Sequence, residues 1–131
     1  MSSSNFEEIF ARLRSILTRH TQSLSVAEHS PIRYCLEGRV GPATLRAWGG
    51  KMKKPMMPVA WVQIGKAYVS FHLMGIYGNE KACEGMSNEL RARMQGKTCF
   101  NFKVADEELF QELEAFTERA CQDFKKARFI E

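Results

Sequence analysis

The stretch VAWVQIGKAYVSFHLMGIYG, residues 59–78, decides how this chain folds. Two runs of β-branched and aromatic residues flank Gly65 and Lys66, and a glycine at the first central position supplies the positive φ of a type II′ turn. The spacing predicts a two-residue hairpin. Ile64 then faces Ala67, Gln63 faces Tyr68, Val62 faces Val69, Trp61 faces Ser70, Ala60 faces Phe71 and Val59 faces His72. Because side chains alternate along a strand, Ala60, Val62, Val69, Phe71 and Leu73 share one side, and Trp61, Gln63, Tyr68, Ser70 and His72 share the other. The first side is apolar and predicts a core face under helices. The second mixes rings with polar tips, which suits either a binding surface or the wet side of a sheet.

Upstream, Phe6, Ile9, Phe10, Leu13, Ile16 and Leu17 recur at helical spacing between charged residues, which predicts an amphipathic helix capped by Ser4 or Asn5, with Glu7 and Glu8 against its positive end. Residues 1–5 read as a disordered end, and 6–131 as one domain. RYCLEGRV and ATLRAW read as two short strands, separated by Gly41-Pro42 and closed by Gly49-Gly50. Pro55 and Pro58 cannot donate to a ladder, so KKPMMPV reads as a loop or an edge leading into the next strand.

Downstream, Ser87 opens a short helix expected to run to about Gln95 and to stop at Gly96. TCFNFKV alternates as a strand, with Phe100, Phe102 and Val104 on one side and Cys99, Asn101 and Lys103 on the other. Asp106 caps a last helix whose stripe is Leu109, Leu113, Phe116 and Ala120. Strands gathered between two terminal helices predict an α+β fold, a largely antiparallel sheet of about five strands with the N- and C-terminal helices on one face.

The chain has 131 residues and a net charge of +4. Residues 1–60 hold nine Lys or Arg against four acids, and residues 61–131 hold ten against eleven, so the basic character sits in the first half, densest at KMKKP, 51–55. Neither a groove-reading helix nor an RNP-like aromatic strand accompanies that charge, and nucleic acid is not the expected partner. Without a signal-like start or a run long and apolar enough to span a bilayer, the reading is a cytoplasmic protein with no membrane partner. Cys35, Cys83, Cys99 and Cys121 are widely spaced, with no C-x-x-C pair, and read as reduced, buried thiols.

AWVQIGKAYVSFHLMGIY, followed by LRARMQGKTCFNFKVADEELFQELEAFTERA, closely resembles the YdhG-like domain family, a family of domains of unknown function. The resemblance runs from about residue 33 to 126, with GKTCFNFK ahead of an acidic helix start and the YVSF strand as its most telling segments. It implies a compact α+β domain and, from one branch described as frataxin-like iron chaperones, iron delivery. The charges depart from that branch. The first helix offers only Glu7 and Glu8 beside Arg12, Arg14 and Arg19, and the second acidic group, Asp106, Glu107, Glu108, Glu112 and Glu114, has no His or Cys at ligand spacing. No metal ligand set and no cofactor is therefore assigned, iron being implied by the resemblance alone.

No G-x-S-x-G elbow, H-E-x-x-H helix or phosphate-cradling glycine loop is present, so no catalytic residue is assigned and the chain reads as non-enzymatic. A thiol–base pair of His72 with Cys35, Cys83 or Cys99 is the enzymatic alternative. The leading expectation is a small binding domain whose ligand or protein partner sits on Trp61, Gln63, Tyr68, Ser70 and His72, flanked by Trp48 and Arg46. A homodimer through the same aromatic face is consistent with this reading.

Overall fold

The computed structural model describes residues 2–22, 24–47, 56–74, 84–96, 99–126 and 130. Trp48, Cys83 and the basic stretch 51–55 lie outside them. The fold is α+β: α1 (Ser2–Thr18), β1 (Ser25–His29), β2 (Arg33–Arg39), α2 (Pro42–Ala47), β3 (Met56–Ile64), β4 (Val69–Leu73), α3 (Asn88–Arg91), β5 (Met94–Gln95), β6 (Cys99–Phe102) and α4 (Glu107–Lys126). The strands form one antiparallel sheet in the order β1-β2-β3-β4-β6-β5, six strands where about five are expected.

The covered face is built by alternation. Leu36, Ala60, Val62, Val69, Phe71, Leu73, Phe100 and Phe102 are buried in one cluster with Ile9, Phe10, Leu13, Ile16 and Leu17 of α1 and Leu109, Phe110, Leu113, Phe116 and Ala120 of α4. The two terminal helices thus supply the other half of the core, and Phe110 meets Phe102 edge-on at 5.1 Å. Across their outer side Arg12 grips Glu107 through two hydrogen bonds of 2.8 and 2.6 Å, and both Arg12 and Arg19 reach Glu114. At this level of exposure such pairs fix orientation more than they add stability.

The hairpin departs from its predicted turn. Ile64 pairs with Val69, Gln63 with Ser70, Val62 with Phe71, Trp61 with His72 and Ala60 with Leu73, a register two residues away from the expected one. The loop therefore spans four residues, closed by Gly65 N–H donating to the Tyr68 carbonyl at 2.9 Å. Gly65 is absent from the glycines with positive φ, so the type II′ turn does not form. A slip of two, unlike a slip of one, leaves every side chain on its predicted face.

Four further expectations are corrected. α1 starts at Ser2, inside the end read as disordered, so Asn5 is a helical residue whose side chain donates to the Lys103 carbonyl, not a cap. Residues 43–47 of ATLRAW are not a strand: Pro42 opens α2, suited to a first helical turn because its missing N–H would be unpaired there, and Leu45 N–H reaches the Gly41 carbonyl. Pro58 lies within the interior strand β3, opposite Glu37, where the β2–β3 register shifts between Leu36 and Glu37 and a missing donor is tolerated. The helix after Ser87 ends at Arg91, and Met94–Gln95 form β5 beside β6; Gly96, at φ 79°, makes the tight exit from that strand. Ser87 keeps its capping role, accepting from Leu90 N–H, as does Asp106, accepting from Leu109 N–H.

Candidate functional site

The opposite face of the sheet carries two cross-strand rows. In one, Glu28, Cys35, Trp61, His72, Cys99 and Gln95 stand side by side from β1 to β5. In the other, Arg33, Gln63, Ser70 and Asn101 do the same, and Asn101 N–H donates to the Arg93 carbonyl beyond them. Directly opposed residues are close enough to interact, and Trp61 with His72, His72 with Cys99 and Ser70 with Asn101 do so.

The Trp61 indole and the His72 imidazole lie parallel, 4.6 Å apart between centroids and inclined by 13°. On the far side of the imidazole, Nε2 lies 3.6 Å from Cys99 Sγ. Asn101 Oδ1 accepts from Ser70 Oγ at 3.0 Å and from Cys99 Sγ at 3.3 Å, while Asn101 Nδ2 donates to Gln95 Oε1 at 2.5 Å. The Gln95 contact thus orients the amide so that its oxygen faces the serine and the thiol. At the other end of the rows, Arg33 is ion-paired to Glu28.

Trp61, Ser70, His72, Cys99 and Asn101 are half-buried and Gln63 is exposed, in contrast to the sealed residues beside them on the same strands. Burial holds the His72 imidazole below its ordinary range, and the Arg33 charge adds to the effect. Burial also raises the Cys99 thiol, with the neighbouring Ser70 hydroxyl opposing it. The pair is therefore a neutral thiol beside a neutral imidazole, the reverse of the thiolate–imidazolium pair of an activated cysteine. Cys35 is almost sealed and raised in the same way.

Of the residues singled out from sequence, Trp61, Gln63, Ser70 and His72 share this face. Tyr68, two residues before Ser70, lines a recess that also includes Asn101 and Gln95. Arg46 is exposed on α2, with no hydrogen bond or ion pair to the face among the described residues, and Trp48 lies outside those residues. Of the three cysteines considered as partners of His72, Cys99 is the one in contact; Cys35 lies across Trp61 from it, and Cys83 is not described. The alternation of residues 99–102 already set Cys99 and Asn101 apart from the buried phenylalanines. That β6 lies beside β4, the adjacency that brings them to His72 and Ser70, carries no signal in the sequence.

Three of the acidic residues of α4 are engaged. Glu107 and Glu114 bind Arg12 and Arg19, and Glu112 accepts from both the Ser87 N–H and its hydroxyl. Among the described residues no three His, Cys, Asp or Glu side chains are grouped to hold a metal ion. A larger recess of ≈ 600 Å³ runs between α1 and α4, lined by Arg19, His20, Glu114, Glu118, Cys121 and Lys125, but its charges are mixed and Arg19 is tied to Glu114. No described helix is long and apolar enough to cross a membrane. No family model, curated protein or solved structure matches the chain.

Proposed function

We propose that the protein is a binding domain that holds a small organic molecule or a protein partner against the face opposite α1 and α4. The stacked Trp61–His72 pair, flanked by the Ser70–Asn101–Gln95 hydrogen bonds and only half-buried, is the observation that carries this reading. Rings supply apolar contact area at low entropic cost, and oriented amides supply direction, the combination that binding surfaces favour. A fragment titration followed by amide chemical shifts tests it: shifts on β3, β4 and β6 that vanish in Trp61→Ala are expected. Shifts confined to the α1–α4 groove would move the binding function away from the sheet.

The 3.6 Å approach of Cys99 to His72 favours a second reading, thiol-dependent chemistry. Alkylation by iodoacetamide separates the two. A neutral, desolvated thiol reacts slowly at neutral pH, whereas fast reaction at Cys99 that is lost in His72→Ala would favour the enzyme. Iron delivery has little support from the acids of α4, because Arg12, Arg19 and Ser87 already occupy Glu107, Glu114 and Glu112.

A further inference from the structure

β5 is only two residues long, and the chain enters it from α3 through Ala92. Beside this short strand, at the end of the rows where Tyr68 and Lys103 follow Ser70 and Asn101, lies a recess of ≈ 340 Å³. Among the described residues Tyr68, Arg93, Gln95, Asn101 and Lys103 line it, and no carboxylate does. The volume falls in the lower part of the range usual for small-molecule sites, about 300–1,000 Å³.

Its hydrogen-bonding character is one-sided. The Asn101 oxygen accepts from Ser70 and Cys99, and its NH₂ gives one of its two N–H donors to Gln95. The Gln95 oxygen already accepts from Asn101, and the Gln95 amide NH₂ makes no hydrogen bond among the described residues. Arg93 and Lys103 can only donate, and the Tyr68 hydroxyl can do so. Unlike Arg12, Arg19 and Arg33, each held by a glutamate, Arg93 and Lys103 form no ion pair among the described residues. Two like charges sharing a recess without a counter-ion favour an anion between them.

We infer that this recess anchors the oxyanion of a small organic acid, a carboxylate or a phosphate ester, held by Arg93, Lys103 and the Gln95 amide, with a flat ring of the same ligand against Tyr68. The inference rests on the reading of the sheet face as a binding surface, because Gln95 and Asn101 belong to both. It adds the chemical class of the ligand. An acceptor-rich head satisfies a donor-rich lining, and planar guanidinium geometry suits either oxyanion.

Calorimetry and amide chemical shifts on the full chain, with phenyl phosphate, benzoate, inorganic phosphate and benzyl alcohol as probes, test it. One of the two aromatic anions is expected to bind with shifts at Tyr68, Arg93 and Asn101, and which of them binds more tightly identifies the head group. Removing both cations in Arg93→Gln/Lys103→Gln is expected to weaken that anion by about tenfold or more, as the charge-assisted hydrogen bonds are lost. Both side chains are exposed, so the thermal midpoint of the double variant stays that of the parent. Tyr68→Leu is expected to reduce phenyl phosphate toward the affinity of inorganic phosphate. Unchanged anion affinity in the double variant overturns the inference. So does tighter binding of a short single-stranded oligonucleotide than of either aromatic anion, which would make the occupant a nucleic acid. Equal shifts with benzyl alcohol around Trp61 and His72, without preference for anions, end this inference and leave the sheet-face reading standing; no shift on the sheet with any probe removes both.

Discussion

Phe71 and His72 are neighbours on β4, yet they live in different surroundings. Phe71 is fully buried between the sheet and the helices, whereas His72 stacks on Trp61 at a half-open surface. The covered face is a packed interior in which nearly every side chain is an aliphatic or phenyl group; the open face is a chain of polar contacts, each made by a group that still touches water. Burial on the first face specifies the fold. Incomplete burial on the second leaves donors, rings and a thiol in a state that a partner can finish desolvating.

The sharpest way to break this contrast is to truncate one ring on each side. Phe71→Ala opens a cavity in the core and should cost about 3–5 kcal/mol, read as a shift in the denaturant midpoint. Trp61→Ala removes a stack at a partly wet surface and should cost about 1 kcal/mol while abolishing ligand shifts on the sheet. A Trp61→Ala variant as unstable as Phe71→Ala would make the open face a second core, and the proposed binding surface would fall with it.

A smaller effect is expected from overfilling the covered side. A Cβ at Gly38 would stand 3.0 Å from Ile130 Cγ2 and 3.1 Å from Leu24 Cδ2, where Ile130 is bridged to Val40. Gly38→Ala should therefore destabilise by about 1–3 kcal/mol through crowding. Neutral thermal stability would show that the docked residue near the C-terminus gives way freely. Smaller again is Asn101→Ala on the open side, which removes the acceptor of Ser70 and Cys99 and the donor to Gln95. About 1 kcal/mol is expected, because water can replace partners that are only half-buried.

The two faces were also unequally legible. Alternation along residues 59–73 assigns each side chain to its face even though the turn is wrong, since the true register differs from the expected one by an even number of residues. The terminal helices were legible because their stripes are long and apolar. β1 was not: all five of its residues are exposed, so an edge strand without a buried side carries no periodic signal. α2 was misread because six residues are too few to establish a helical period, although Pro42 after Gly41 is a helix-start signal. On the open face, Trp61, Gln63, Ser70 and His72 were visible within one hairpin. Their partners Cys35, Cys99, Asn101 and Gln95 come from strands whose order depends on long-range packing, which a local pattern does not encode.

The smallest expected effect uses the His72 proton to report how much water reaches the open face. The folded protein holds this imidazole below its ordinary range, by burial first and by the Arg33 charge second. On acidification the unfolded chain therefore takes up the proton before the folded one does. The stability contributed by neutral His72 is complete above about pH 6.5 and drains as pH falls from there toward the folded value. His20, lowered chiefly by burial in the α1–α4 groove, adds a loss of the same sign, whereas Glu107, held down by Arg12, matters only once pH falls into the ordinary carboxylate range and below. Denaturant midpoints of the parent and His72→Gln, measured between pH 7 and pH 5, separate these contributions (about 1 kcal/mol or less for a single half-buried histidine). The parent should lose more stability than the variant over that interval, with the remaining loss assigned to His20. Saturation with a ligand that seats over the Trp61–His72 stack should widen the difference, because closing the face to water disfavours the imidazolium further. An unchanged difference would mean that the ligand leaves the stack as wet as before and binds elsewhere on the sheet.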